Sequence, residues 1–143
     1  MILLDTNVVS EVMRPHPESA VIEWVNRADG GSLYVSSITI AEIEYGLHAM
    51  PESQRREDLR ARFETFIHKA FAQRVLDFDE ASARYYGLIM ASRRRSGRPL
   101  SAPDGQIAAI ARRNGMAVAT RNESDFSGSG LKIINPWRLD GLL

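Results

Sequence analysis

Short runs of apolar residues alternate along this chain with longer segments in which apolar residues recur at every third or fourth position. A short run bounded by turn-forming residues is typical of a strand buried on both faces, and the longer spacing is typical of an amphipathic helix. The runs predict five strands, at residues 1–5, 33–36, 74–76, 116–120 and 131–134. The spacing predicts helices at residues 8–13, 18–27, 38–50, 51–71, 79–95 and 103–114. Because strands and helices alternate, we expect an α/β fold with a parallel sheet covered by helices on both faces.

The helix predicted at residues 38–50 carries an acid beside its apolar stripe. Ile38, Ala41, Tyr45 and Ala49 share one helical face, which favours burial of that face against the sheet. Glu42 borders this stripe, so its carboxylate is expected near the sheet.

Composition and charge narrow the class of protein. With 143 residues the chain is expected to form a single domain, residues 1–143, with a hydrophobic core. No apolar run approaches the ~20 residues of a membrane span, and no basic segment precedes a long apolar run at the N-terminus, so we expect neither a membrane protein nor a secreted one. The chain has no cysteine, which excludes disulfides and thiolate chemistry and fits a cytoplasmic location. Its 18 basic and 18 acidic residues balance, so attraction to nucleic acid would need a local patch.

Four acids follow predicted strands or begin predicted helices. Asp5 ends the first strand, Glu42 lies one turn into the helix after the second strand, Asp104 opens a helix, and Asp125 lies in the loop after the fourth strand. In a parallel sheet the carboxyl ends of the strands share one edge, where ligands bind. We therefore expect these carboxylates to converge at that edge.

Each of these acids also has a purely structural interpretation. Asp5 can cap the helix that follows it, and Asp125 can cap a turn, because Asp favours both places. Glu42 can be a solvated helix residue. Asp104 can be an ordinary acid in a first helical turn, where the helix dipole stabilises its charge by ~0.3–1 kcal/mol. From the residues alone, both interpretations stay open.

A carboxylate cluster implies a cation, because the charges repel one another and are costly to bury. Oxygen ligands without His or Cys favour hard ions, which here means Mg²⁺ or Mn²⁺. His16, His48 and His68 are scattered along the chain and form neither a metal pair nor a catalytic triad.

Four short motifs occur in one order along the chain. They are residues 2–7 (ILLDTN), 37–43 (SITIAEI) with Gly46, 102–109 (APDGQIAA), and 119–122 (ATRN) with Asp125 and Phe126, followed by Asn135-Pro136-Trp137. In these motifs the sequence resembles the PIN-domain ribonucleases, in particular the VapC-type and FitB-type toxins of bacterial toxin–antitoxin pairs, and the resemblance covers essentially the whole chain.

This resemblance implies a three-layer α/β/α sandwich around a mostly parallel five-stranded sheet, and Mg²⁺-dependent hydrolysis of RNA. It implies that Asp5, Glu42 and Asp104 surround the metal. Many relatives have Asp where this chain has Asn122, whereas others have Asn there and an acid three residues later. We assign the fourth acid to Asp125, with Asn122 as a neutral ligand or a residue that holds water.

The resemblance also implies a partner, a small antitoxin whose tail covers the active site and whose other end binds promoter DNA. We further expect a homodimer or a higher assembly with the antitoxin, because large exposed apolar patches usually mark interfaces. The residues that suggest such a patch are Phe63, Phe66, Ile67 and Phe71, with Trp24 and Met50.

Several polar residues are candidates for support of the site. The hydroxyls of Thr6, Ser37 and Thr120 can hold carboxylates or metal-bound water. Asn7 is expected to fix the turn after the first strand.

Two arginines are candidates for contact with the RNA backbone. Arg121 lies close to the predicted site, and Arg98 ends the basic segment 93–98. Arginine suits phosphate contact, although the arginines of that segment can instead complement the dipole of the helix they end.

Two other classes of function compete with the nuclease. Asp5-Thr6-Asn7 is similar to the nucleophile loop of haloacid-dehalogenase-type phosphatases, but Asn7 stands where that pattern needs a second acid. A receiver domain needs paired acids after the first strand and a late lysine, and the only lysines are Lys69 and Lys132. The remaining alternative is a binding module that acts mainly within a DNA-bound regulatory complex.

Overall fold

A computed structural model describes residues 1–138 of the chain, and the last five positions of the predicted domain, 139–143, lie outside this range. Its sheet contains five parallel strands in the order β3-β2-β1-β4-β5, so the first strand in the chain lies at the centre of the sheet. The strands are β1 Ile2–Leu4, β2 Leu33–Ser36, β3 Val75–Leu76, β4 Ala117–Ala119 and β5 Ile133–Ile134.

Helices connect the strands and cover the sheet. A π-helical turn, Phe66–Ala70, continues the fourth helix. Side chains at the N-termini of several helices accept a backbone N–H from the first turn, as Ser36, Ser53, Asp79 and Ser101 do. The helices are α1 Thr6–Met13, α2 Ser19–Arg27, α3 Ser37–Ala49, α4 Gln54–Thr65, α5 Glu80–Arg95, α6 Ala102–Arg113 and α7 Glu123–Phe126.

The core has two parts, one on each face of the sheet, because successive residues of a strand point to opposite faces. Leu4 packs against residues of α1, α2, α3 and α4, while Leu3 packs against residues of α5 and α6. Both leucines are fully buried. The predicted α/β fold, with its parallel sheet between two helical layers, is confirmed.

The predicted orientation of α3 is wrong. Tyr45, which was expected to face the core, is 78% exposed, whereas α3 buries Thr39, Ile43 and Leu47. Apolar residues occupy nearly every side of this helix, so their spacing alone does not identify the buried face. Glu42 lies between the two faces and is half-buried.

Two further expectations need correction. The loop expected to carry Asp125 is in fact the short helix α7. The apolar residues that suggested an exposed patch belong to the core, since Trp24, Phe63 and Phe71 are at most 6% exposed and Phe66 is packed against them. None of the helices in this part of the chain combines the length and apolar content needed to cross a membrane.

Candidate active site

Asp5 lies at the carboxyl end of the central strand and is 4% exposed. Its Oδ1 accepts the backbone N–H of Thr6 at 2.8 Å, and its Oδ2 accepts the hydroxyl of Thr120 at 2.8 Å. Asp5 is also the N-cap of α1. The capping interpretation is therefore correct, and it does not exclude a role in a site.

A chain of hydroxyl groups joins the ends of β1 and β2 and holds Glu42. Thr6 Oγ1 donates to Glu42 Oε1 at 2.7 Å and lies 3.0 Å from Thr39 Oγ1, to which Ser36 Oγ donates at 3.5 Å. Ser37, the candidate chosen from the sequence, is not part of this chain. Thr39 was missed, although its position three residues before Glu42 on one helix was a usable signal.

Asp104 reaches the same edge of the sheet from the first turn of α6. Its backbone N–H donates to Ser101 Oγ at 3.3 Å, which fixes the start of the helix. The next residue, Gly105, faces α5, where a Cβ would overlap Met90 Sδ and lie 3.1 Å from Tyr86 Cε1. Any other residue at 105 would require Met90 to move, so glycine lets α6 pack closely against α5 with Met90 in its present place, and Asp104 lies at the start of this packed helix.

Thr120 connects the turns that follow β1 and β4. This fully buried residue donates its hydroxyl proton to Asp5, and the same oxygen accepts the backbone N–H of Asn122 at 3.0 Å and the side-chain N–H of Asn7 at 3.3 Å. Asn7 Oδ1 in turn accepts the backbone N–H of Arg121 at 3.4 Å. Asn7 therefore ties two turns together, beyond fixing its own.

Two residues, Asn122 and Asp125, are candidates for the fourth position of the site. Asn122 lines a cleft of about 400 Å³ together with Asp5, Glu42 and Asp104. Asp125 lies in α7 and is not in that lining. Burial is the main cause of the raised pKa of Asp104, and the charge of Asp125 raises that pKa further. The structure thus places Asn122 at the cleft and Asp125 beside Asp104.

The cleft has further walls that the sequence did not reveal. Ser10 and Glu11 of α1, Arg14 directly after α1 and Trp137 after β5 line it. Glu11 is 5% exposed and accepts from Arg14 Nη1 at 3.2 Å and from the backbone N–H of Glu18 at 3.0 Å, which fixes the turn between α1 and α2. These residues follow Asp5 at helical spacing, and this spacing was the signal that could have placed them on the face of α1 next to the site.

The two candidate arginines have different surroundings. Arg121 lines the cleft, whereas Arg98 does not. Arg98 Nη2 donates to the carbonyl of Ser124 at 3.1 Å and to Ser127 Oγ at 2.8 Å. The buried Arg93 also donates to the carbonyls of Ser124 and Ser127. Arg93 and Arg98 thus hold the α7 region in place.

The acids of the cleft are held in an unfavourable electrostatic environment. Burial raises the pKa of Asp5 from its ordinary 3.8 to about 6, hydrogen bonds from Thr120 and Thr6 lower it, and the charges of Asp104 and Glu42 raise it further. Burial also raises the pKa of Asp104. A nearby cation would relieve this cost.

The side chains present match a hard divalent cation in chemistry. Each oxygen of Asp5 accepts one hydrogen bond, which leaves lone pairs for a metal, and the other acids supply only oxygen donors. Within residues 1–138, however, no three carboxylate or imidazole groups already surround a common point. The carboxylate of Glu42 is instead bonded to Thr6, so ion binding would require side-chain movement.

The chain is also similar to known proteins, both to a family model and to individual relatives. The family model of the PIN domain matches residues 2–128. A protein named VapC ribonuclease Y4jK, from Sinorhizobium fredii, is 45% identical over 137 residues, which cover 96% of this chain and 98% of that protein. The toxin FitB of Neisseria gonorrhoeae is 38% identical, with 96% of this chain and 99% of FitB covered.

Solved structures extend the likeness to three dimensions. The structure of FitAB bound to an IR36 DNA fragment matches with a TM-score of 0.90 at 39% identity and covers 97% of each chain. FitAcB from Neisseria gonorrhoeae matches with the same TM-score of 0.90 at 38% identity. Family model, sequence and fold agree over nearly the full length, and this chain belongs to the PIN-domain family, among the proteins named VapC and FitB.

Proposed function

We propose that this protein is a metal-dependent endoribonuclease that acts as the toxin of a type II toxin–antitoxin pair. The observation that carries the proposal is the cleft in which Asp5, Glu42 and Asp104 meet from three different elements. Relatives that are 45% and 35% identical carry the names VapC ribonuclease and tRNA(fMet)-specific endonuclease VapC, the latter from Shigella flexneri. Charge, donor chemistry and family agree on one class of reaction, the hydrolysis of a phosphodiester.

In the proposed mechanism, Asp5, Glu42 and Asp104 hold Mg²⁺, for which Mn²⁺ is the alternative. When bound, such an ion lowers the pKa of a coordinated water and neutralises charge that develops at phosphorus. Thr120 and Thr6 orient the carboxylates of Asp5 and Glu42 through the hydrogen bonds described above.

The remaining residues of the site act on water and on the RNA. Glu42 or Asp125 orients the attacking water and accepts its proton. Asn122 is a neutral ligand or holds a water molecule. Arg121, at the rim of the cleft, contacts an RNA phosphate.

The proposed protein partner is a small antitoxin that binds promoter DNA. The solved complex of FitAB with a DNA fragment supports this assignment. A groove of about 390 Å³ between α1 and α4 is lined by Val12, Met13 and Phe66, among others. Its apolar lining suits one face of an amphipathic antitoxin helix. Helix α1 contributes residues both to this groove and to the cleft of the active site.

The direct test is cleavage of fluorescently labelled RNA by the purified chain with Mg²⁺, with Mn²⁺ and with EDTA. We expect cleavage with either ion and none with EDTA. Sequencing of RNA ends after brief induction in cells then identifies the substrate. Acid-labile phosphate on Asp5 after incubation with a phosphodonor would instead indicate aspartyl-phosphate chemistry. An inactive chain that still binds its antitoxin and DNA would indicate a binding module.

A further inference from the structure

Trp137 and Arg121 form a stacked pair at the rim of the cleft. The guanidinium carbon of Arg121 lies 5.2 Å from the centroid of the Trp137 ring, which is within the range of a cation–π contact. Both side chains line the cleft that holds the three carboxylates. Arg121 is exposed, whereas Trp137 is half-buried, so the ring forms the fixed member of the pair.

The segment that carries Trp137 is anchored to α7. The backbone N–H of Trp137 donates to Asn135 Oδ1 at 2.9 Å, and Asn135 Nδ2 donates to Glu123 Oε2 at 3.1 Å. Asn135 is itself buried, at 9% exposure. Glu123 directly follows Asn122, so the closing Asn135-Pro136-Trp137 motif is tied to the turn that borders the site.

Arg121 keeps its charge available despite its acidic surroundings. In the described part of the chain, no carboxylate lies within ion-pairing distance of its guanidinium. Its backbone is fixed by the hydrogen bond to Asn7, while the indole of Trp137 supports its side chain. An arginine that is positioned without a carboxylate partner is suited to bind an anion from outside the chain.

We propose that Trp137 is a positioning residue that holds the Arg121 guanidinium over the cleft as a phosphate contact for RNA. The proposal rests on the ribonuclease function proposed above and assigns a role to the last motif of the chain. Trp137 acts through Arg121 and does not itself contact the RNA. The pair binds the backbone, so it contributes affinity for RNA of any sequence.

The indole N–H supports this assignment. Trp137 Nε1 is buried and has no hydrogen-bond partner among the described residues, and an unpaired buried donor is destabilising. Phenylalanine would fill much of the same space without that cost. Indole, however, is the strongest of the aromatic cation–π partners, so the stacked arginine gives a physical reason for tryptophan at this place.

The test measures binding of a fluorescein-labelled single-stranded RNA in EDTA, by anisotropy over a range of salt concentrations, and KM and kcat for cleavage with Mg²⁺. The variants are Arg121→Ala, Trp137→Phe and the double variant. Arg84→Ala is the control, because Arg84 is an exposed arginine on α5, paired with Glu80. Thermal unfolding of each variant checks the fold.

We expect Arg121→Ala to raise Kd and KM by roughly 10-fold with little change in kcat, and to reduce the slope of log Kd against log salt by about 0.7. Trp137→Phe should raise Kd by roughly 3-fold, since phenyl is the weaker cation–π partner, without loss of thermal stability. The double variant should match Arg121→Ala alone, and Arg84→Ala should match the wild type.

Three outcomes contradict the proposal in different ways. If Trp137→Phe weakens binding equally when Arg121 is already absent, Trp137 contacts the RNA itself. If Arg121→Ala binds and cuts RNA like the wild type, Arg121 is no phosphate contact, and the nuclease function stands without it. A wild-type chain that neither binds nor cuts RNA overturns the proposed function, and this inference with it.

Discussion

Thr120 Oγ1 donates a hydrogen bond of 2.8 Å to Asp5 Oδ2 across 115 positions of sequence. The two residues follow β1 and β4, which are neighbours in the sheet, so the pairing of the strands brings them together. Both are buried, and in such surroundings one hydroxyl strongly restricts the orientation of the carboxylate. Metal ligands depend on partners of this kind for their geometry.

Replacement of this hydroxyl tests its role. Thr120→Val keeps the shape but removes the donor to Asp5 and the acceptor for Asn122, so we expect metal affinity or activity to fall about 10–100-fold. Thr120→Ser, which keeps the hydroxyl, should retain most of the activity. Mg²⁺ titrations of the cleavage rate compare the two. Equal activity of the Val and wild-type chains would contradict the role.

The acids themselves should be indispensable. Asp5→Asn or Asp104→Asn removes a charge that we assign to the metal, and a loss of several kcal/mol of transition-state stabilisation corresponds to at least about 100-fold in rate. Cleavage assays at saturating Mg²⁺ measure this, with circular dichroism to show that the fold is intact. Wild-type rates in either variant would mean that the site is assigned wrongly.

Stability without metal should depend on pH through Asp5. Its pKa is raised to about 6 in the folded chain, from an ordinary 3.8, so the folded state binds the proton more tightly than the unfolded state. The contribution of Asp5 therefore favours folding below about pH 4 and is lost as the pH rises through about 6. At 1.36 kcal/mol per unit the shift corresponds to roughly 3 kcal/mol.

Thermal unfolding in EDTA between pH 4 and 8 measures this dependence. We expect Asp5→Asn to be more stable than the wild type at pH 7 and to lose most of the difference near pH 4. Glu52→Gln, at an exposed position, is the control and should follow the wild-type curve. A wild-type chain that grows more stable from pH 5 to 7 in parallel with Asp5→Asn would contradict the burial argument.

Two reciprocal variants test whether Asp125 is the fourth acid of the site. If Asp125 contributes charge to the metal, Asp125→Asn should weaken Mg²⁺ binding and activity, because the neutral amide adds no charge. Asn122→Asp places a new acid in the cleft, which should increase repulsion without metal and tighten metal binding. Cleavage rate against Mg²⁺ concentration is measured for both. An unchanged curve for Asp125→Asn would leave a three-acid site completed by Asn122.

A homodimer is expected through exposed apolar residues on α3 and α5. Tyr45 is 78% and Leu88 is 62% exposed, and we propose that a second copy of the chain covers these two side chains. Tyr45→Arg and Leu88→Arg should shift the chain towards monomer at micromolar concentration, as measured by light scattering. Glu52→Arg, at an exposed position, is the control. Leu59→Arg is not suitable, because Leu59 packs on the core. A wild-type chain that is already monomeric would contradict the expectation.

The sequence predicted what depends on chain order and strand position. Asp5, Glu42 and Asp104 were expected at one edge of the sheet because Asp5 ends a strand, Glu42 lies one turn into the helix that follows a strand, and Asp104 opens a helix, and the carboxyl ends of parallel strands share one edge. The sequence did not predict what depends on the rotation of a helix. In α7 the buried residue is Phe126, and its neighbour Asp125 is turned by about 100° from it, so packing of Phe126 decides where Asp125 points.

Residues distant in sequence were harder still to assign. Trp137 reaches the cleft because β5 lies beside β4 at the edge of the sheet. No local sequence pattern predicts that position. Helix α3, which carries Tyr45, is apolar on several sides, so the packing of the neighbouring helices determines which side is buried. The tertiary fold, and not local spacing, determines both.

The central place of β1 has a consequence for the cell that makes this protein. Asp5 and Glu42 precede Asp104 and Thr120 in the chain, so a chain under synthesis contains the first two well before the other two. Strand β1 pairs with β4, so the hydrogen bond from Thr120 to Asp5 forms only after β4 has been made. The carboxylates of the proposed site therefore cannot come together on a nascent chain that stops before residue 104, and we expect such a chain to leave RNA intact.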